Sequence, residues 1–188
     1  MKFYIRNVFC LLLISFSTSA LARGGYSFGY RLDFATSSLN ASNINKAFPD
    51  FESGHTSAFF FRKFFDQSYY AEIAPGAWNS VSGNSQFTFQ YSTLGIGYQA
   101  GESFIFDLGA SLGEGLIALT TGGQSLGKIQ TSSTVLRKDS TIYTLQAGGG
   151  YKFGDYSILF NLRYFGFIDS DFSKLNNLAA GFSVAMKL

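Results

Sequence analysis

The sequence predicts an all-β protein: an eight-stranded antiparallel up-and-down transmembrane β-barrel. Three observations predict it. The 188 residues include 22 Phe, 11 Tyr and 21 Gly but only 2 Pro, and the apolar stripes of helices are scarce. Segment after segment alternates apolar and polar residues, as a strand with two unlike faces does. The N-terminus reads as an export signal, with Lys2 and Arg6, the apolar run Val8 to Phe16, and then Ala20-Leu21-Ala22, an A-x-A cleavage pattern. Residues 1–22 are expected to be a secretory signal peptide and residues 23–188 the barrel domain. The apolar run is too short to span a bilayer as a helix.

Cleavage after Ala22 removes Cys10, the one cysteine, so thiol and disulfide chemistry are not expected in the mature domain. It also removes Lys2 and Arg6 from the 14 basic residues, leaving 12 against 12 acidic ones. A neutral domain gives no reason to expect nucleic acid or acidic partners.

The elements follow in order. The first strand sets Tyr26, Phe28, Tyr30, Leu32 and Phe34 against Ser27, Gly29, Arg31 and Asp33. A polar stretch runs from Ala35 to His55. Strand two, Thr56 to Phe65, has no clear parity, because Phe59, Phe60 and Phe61 are consecutive. The turn Asp66-Gln67-Ser68 leads to strand three, Tyr69 to Ala77, where Pro75 marks a bulge or an unpaired position. Trp78 to Ser85 reads as a loop. Strand four, Gln86 to Tyr98, begins with Phe87, Phe89 and Tyr91 and then changes parity to Leu94, Ile96 and Tyr98. A bulge near Ser92-Thr93 is the expected cause.

Strand five follows the short turn Gln99 to Ser103 and carries Phe104, Phe106, Leu108, Ala110 and Leu112 on one parity. Leu116 to Asp139 is long and mostly polar. Strand six, Ser140 to Phe153, joins strand seven, Tyr156 to Tyr164, through the two-residue hairpin Gly154-Asp155. Ile168 to Lys174 is a loop. The last strand, Asn176 to Leu188, alternates throughout, and its apolar face is a dangerous edge unless it closes a barrel in lipid.

Eight strands, tight turns at one end and longer loops at the other are the asymmetry of outer-membrane barrels. With both termini at the tight-turn end, the termini are expected in the periplasm and the loops outside the cell. Tyr26, Phe28, Tyr69, Tyr70, Phe104, Phe153 and Tyr156 gather where strands meet turns, suiting an interfacial aromatic girdle. The chain resembles the small eight-stranded outer-membrane proteins of Gram-negative bacteria. In that family the C-terminal strand carries an alternating hydrophobic assembly signal. Phe182-x-Val184-x-Met186-x-Leu188 is similar, with Leu in place of the usual terminal aromatic. The resemblance implies outer-membrane lipid and lipopolysaccharide as surroundings, and the barrel-assembly machinery as a partner during insertion. A monomer is expected.

Alternation alone does not say which parity faces out. A soluble lipocalin-like barrel would reverse the faces, but Ser, Gly, Gln and Asn with scattered charge make a poor soluble exterior. The expected inward charges are Arg31, Asp33, Glu72, Asp107, Lys152, Arg163 and Lys187. An eight-stranded barrel is just wide enough for side chains to fill. A salt-bridged plug is therefore the leading expectation, with a narrow channel as the alternative. Ala147 to Gly150 thins the wall on both faces, either to admit neighbouring side chains or as a lateral opening or lipid groove.

Candidate chemistry is sparse. His55, the one histidine, stands two residues from Ser57, and Glu52 precedes both. A Ser–His–carboxylate set can run acyl transfer. The pattern is similar to the His-x-Ser of outer-membrane lipid A deacylases, though there it lies near the chain end. Asp169 and Asp171 are the only cation-binding candidates, and a solvated turn is the simpler expectation, so no metal site is expected. Gly148-Gly149-Gly150 lacks the residues of a phosphate loop, and no cofactor is expected. The leading functional expectation is a structural or surface-interaction role through the loops Ala35 to Gly54 and Leu116 to Asp139. The alternatives are a lipid A-modifying acyl hydrolase using His55, Ser57 and Glu52, and a narrow solute channel.

Overall fold

Each alternating segment pairs with its neighbour as an antiparallel strand, and the last strand returns to the first. In the computed structural model the residues described are 25–35, 50–51, 54–65, 68–83, 85–121, 124–125, 128–129, 134–169, 172 and 175–188. Residues 1–22 and Glu52 lie outside them, as do Asp66, Gln67 and Asp171. The elements are β1 (Tyr26–Ala35), β2 (His55–Phe64), β3 (Tyr69–Ser82), β4 (Ser85–Ala100), β5 (Phe104–Thr121), β6 (Gln124–Ser125), β7 (Lys128–Ile129), β8 (Thr134–Phe153), β9 (Tyr156–Phe167) and β10 (Asn177–Lys187). Eight of them form a closed barrel in the order β1-β10-β9-β8-β5-β4-β3-β2, while β6 and β7 make a small separate hairpin.

The terminal strand closes the barrel on the first, with Phe182 opposite Leu32, Val184 opposite Tyr30 and Met186 opposite Phe28. Following paired residues round the wall gives the stagger. The path Phe106, Gly149, Phe160, Phe182, Leu32, Ser57, Ala77, Gln90 returns to β5 at Leu116, ten residues further along. Eight strands with that stagger tilt by about 40° to the barrel axis.

The apolar parity faces outward. Phe28, Leu112, Ile96, Phe106, Leu145, Phe160 and Phe182 are exposed, whereas Ser27, Arg31, Asp33, Glu72, Asp107, Thr144 and Ser183 are buried inside. This is the membrane arrangement, opposite to a soluble barrel. On β5 the apolar outward residues run from Phe104 to Leu112 before Glu114. At about 3.3 Å per residue and that tilt, the backbone of this stretch rises about 20 Å along the barrel axis, comparable with the lipid-facing band of about 25 Å of a membrane barrel.

Several elements depart from the sequence reading. Trp78 to Ser85 is no loop: β3 continues to Ser82, β4 starts at Ser85, and Gly83 turns the hairpin with φ of 56°. A positive φ is cheap for glycine and costly for most other residues. Ser92-Thr93 holds no bulge, because β4 keeps continuous register with β3 and with β5. Instead Phe87, Phe89 and Tyr91 point into the barrel and Leu94, Ile96 and Tyr98 point out. The apolar parity changes because the surroundings change. The polar stretch after Leu116 is also partly strand, since β5 reaches Thr121 and β8 begins at Thr134. Pro75 is unpaired toward β2, though it stands opposite Ser92 of β4: β2 and β3 pair at Ala58–Gly76 and Phe61–Ile73 but not between, where proline offers no N–H.

The wall is therefore lopsided. Strands β3, β4, β5 and β8 have 14, 16, 18 and 20 residues, against 10, 10, 12 and 11 for β1, β2, β9 and β10. The long strands stand above the belt as a ribbon. Its inner face packs Trp78, Phe87, Phe89, Ile117, Leu119 and Ile142 against Phe51, Phe172 and Leu175 from the connections at that end.

Candidate functional site

The lumen has three levels. At the turn end a polar vestibule of about 540 Å³ is lined by Ser27, Gln99, Ser103, Lys152, Ser157 and Lys187, with Arg62 also on its lining. Above it lies a buried charge network. Above that, the lumen is packed with aromatic rings.

The charge network is continuous. Arg31 grips Glu72 with both terminal nitrogens, Nη1 to Oε1 at 3.2 Å and Nη2 to Oε2 at 3.0 Å. Arg62 donates Nε to the same carboxylate at 2.7 Å and Nη1 to Asp107. Tyr70 donates its hydroxyl to Asp107 at 2.5 Å. Gln146 donates to Tyr70 at 3.0 Å and accepts from Arg163 Nη2 at 3.2 Å. Arg163 Nη1 in turn lies 3.2 Å from Asp33 Oδ2. Three arginines thus face three carboxylates, all of them buried. Each charge out of water needs its partner, since an isolated ion there costs several kcal/mol. The Phe60 ring lies between two guanidiniums, 4.7 Å from Arg31 and 4.8 Å from Arg62, an attractive arrangement for a ring face.

The glycines of this region make room for the large side chains. A Cβ on Gly97 would fall 2.2 Å from the Tyr70 ring, so only glycine lets that ring lie against the wall. At Gly149, by contrast, a Cβ would meet nothing closer than 3.5 Å.

Five of the seven charges expected inside, Arg31, Asp33, Glu72, Asp107 and Arg163, are in this network. Lys152 and Lys187 are not: they stand at the last inward positions of β8 and β10 and are exposed at the vestibule. Arg62, Phe60, Tyr70 and Gln146 escaped sequence reasoning. Three consecutive phenylalanines hid the parity of β2, and Tyr70 read as an interfacial aromatic. It is buried in the lumen, while Tyr69 faces out and packs 5.0 Å from Tyr98.

The aromatic level fills the lumen at the end opposite the termini. The Trp78 ring lies 5.3 Å from Phe165 and edge-on to Phe87 at 6.0 Å. Phe89 is 5.2 Å from Phe167 and 5.4 Å from Tyr91. The Tyr91 hydroxyl is 2.7 Å from Thr56 Oγ1, which satisfies a polar tip among apolar rings.

The remaining candidates lie elsewhere. His55 and Ser57 share the outward face of β2 at the loop end, His55 between Phe34 and Asn79, Ser57 between Leu32 and Ala77. Among the described residues no hydrogen bond joins them, and Glu52 lies outside those residues. A nucleophile and its base need contact of about 2.6–3.2 Å. Replacing either residue, His55→Ala or Ser57→Ala, is expected to leave the lipid A acylation pattern of cells unchanged by mass spectrometry. Loss of a deacylated species in both variants would establish the hydrolase instead. Asp169 accepts from Ser140 Oγ at 2.9 Å and from Thr141 N at 3.3 Å, so it ties its connection to β8. Among the described residues no three His, Cys, Asp or Glu gather as metal ligands. Phe182, Val184, Met186 and Leu188 are exposed on the outer face.

A closed eight-stranded antiparallel barrel, greasy outside and charged inside, is the fold of the small outer-membrane β-barrels. Solved structures of that kind resemble it. The crystal structure of Neisserial surface protein A (NspA) matches with a TM-score of 0.60 at 12% identity, over 88% of this chain and 96% of that one. The N-terminal β-barrel domain of Pseudomonas aeruginosa OprF matches at 0.53 and 11% identity, over 87% and 99%. Ail, the attachment invasion locus protein of Yersinia pestis, matches at 0.50 and 11%, over 87% and 96%. At these identities the likeness is one of fold. No protein-family model matches the sequence, and no curated protein matches it.

Proposed function

We propose that this protein is a non-conducting outer-membrane barrel with periplasmic termini that works through what its outer end presents: the β3–β4–β5–β8 ribbon and the connections beside it. One observation carries this reading: the lumen is filled twice, by the linked charge network and then by the Trp78 aromatic cluster. A narrow channel has no support from that packing. The barrel is a rigid mount, and loops on rigid mounts are where binding residues concentrate. The terminal residues Phe182, Val184, Met186 and Leu188 are the segment that the barrel-assembly machinery would read, and the folded barrel acts as a monomer.

Purified protein is expected to leave a planar lipid bilayer silent at high protein load. Steady ohmic steps from the unmodified chain would overturn the reading. In cells, replacing residues 122–133 by a tight turn, which spares the packed Ile117 and Leu119 of β5, should leave a folded, silent barrel that no longer restores the detergent resistance of a deletion strain. Full restoration by the trimmed chain would refute the role of the outer end.

A further inference from the structure

The inward charges below the aromatic level do not balance. In the network three arginines face three carboxylates. Beneath it the vestibule adds two more inward cations, Lys152 and Lys187, and among the described residues no further inward carboxylate from a strand. Glu102 and Asp155 also line the mouth, but from the turns after β4 and β8. Among the described residues no ion pair joins either lysine to a carboxylate. A barrel that pairs each arginine of its lumen thus leaves two ammonium groups open to one cup.

The cup is arranged around those two arms. Lys152 stands opposite Ser157 of β9, and Lys187 opposite Ser27 of β1, so each ammonium has a hydroxyl across from it. Only β9 separates the two lysine strands, which puts their backbones about 10 Å apart. The inward residues between them, Ser157 and its partner Ala185, are small and keep the space clear. The Lys187 arm lies along Gly25, where a Cβ would fall 3.0 Å from its Cε. The volume of about 540 Å³ is that of a small-molecule site. A cleft lined by one sign of charge draws the opposite one, lysine binds phosphate as a point charge, and a hydroxyl adds a donor. Two ammoniums with two hydroxyls suit the spread oxygens of a phosphate better than the two of a carboxylate. We propose that the vestibule binds the phosphate group of a small anion entering from the turn end, either inorganic phosphate or a phosphate monoester. The site lies opposite the ribbon and is independent of the role proposed for the outer end.

The test uses the purified full barrel in micelles of an uncharged sugar detergent, free of lipid phosphate, titrated calorimetrically with inorganic phosphate and with glycerol phosphate. Saturable binding is expected, and the tighter of the two probes names the source. Lys152→Gln and Lys187→Gln are each expected to weaken binding roughly tenfold, the loss of one charge-assisted hydrogen bond. Arg137→Gln removes the same charge at the far end of β8 and should bind as the unmodified chain does. No saturable binding, unchanged affinity in both lysine variants, or equal weakening by Arg137→Gln overturns the proposal and leaves an adventitious ion only. Competition by acetate as strong as that by phosphate overturns it too. If a lysine variant does not fold, the unmodified chain decides: phosphate should shield Lys152 and Lys187, but not Lys138, from acetylation by a reactive ester, read by mass spectrometry. Unchanged acetylation of the two vestibule lysines overturns the proposal as well.

Discussion

Glu72→Ala is expected to destabilise the folded barrel by about 3–5 kcal/mol, the cost of leaving buried partners uncompensated. Among the described residues Glu72 alone joins Arg31 to Arg62, at 3.0 Å and 2.7 Å. Without it two buried guanidiniums face each other across the Phe60 ring with a single carboxylate, Asp107, left on Arg62. Lipid surrounds the wall at that level, so water does not easily reach the exposed charge from the side. Trp78, the one tryptophan of the chain, reports folding by its fluorescence. Denaturant titration of the refolded barrel in lipid vesicles should therefore show a much lower midpoint for Glu72→Ala. Glu72→Gln, which keeps the shape and part of the hydrogen bonding, should fall between. A loss below about 1 kcal/mol for Glu72→Ala would mean that the network is only lightly coupled to stability.

Trp78→Ala is expected to cost about 3–5 kcal/mol through the cavity it leaves. The ring is fully buried in the aromatic cluster and touches rings from β4 and β9. It also lies against Gly54, where a Cβ would stand 2.6 Å from the indole nitrogen, so its loss should loosen the strand entry at His55 as well. Heat-modifiable gel migration, which does not need the tryptophan, should show unfolding at a lower temperature. The variant should still be electrically silent, because the charge network below it remains filled. A conducting Trp78→Ala barrel would place the only seal at the aromatic level.

The strands with one environment along their length were legible from the chain. β1 and β10 lie within the belt, and their alternation predicts their faces and, to within a residue, their extent; β9 runs three residues past Tyr164 to Phe167, where Phe165 and Phe167 join the aromatic cluster. The ribbon was not legible, for a physical reason. Alternation tells which side chains share a face but not what that face meets. In β4 the outward residues pass from lipid at Leu94 to a polar layer at Gln90, while the inward ones pass from Thr93 to the Phe89 cluster. A bulge and a change of surroundings produce the same shift of apolar parity. Beyond Leu116 the polar outward residues masked the buried Ile117 and Leu119, so a two-faced strand read as a loop. Arg62 was hidden in β2 because Phe59 and Phe61 meet lipid while Phe60 meets arginines.

Cysteine accessibility tests the placement of the barrel most directly. In a Cys10→Ser background, single variants Val81→Cys at the ribbon tip, Ile96→Cys in the belt and Glu102→Cys at the β4–β5 turn are treated with a membrane-impermeant maleimide. The expected result is labelling of Val81→Cys on intact cells, labelling of Glu102→Cys only after the outer membrane is permeabilised, and none of Ile96→Cys in either state. Labelling of Glu102→Cys on intact cells with Val81→Cys protected would invert the orientation, and labelling of Ile96→Cys to the level of Val81→Cys would contradict a membrane barrel altogether.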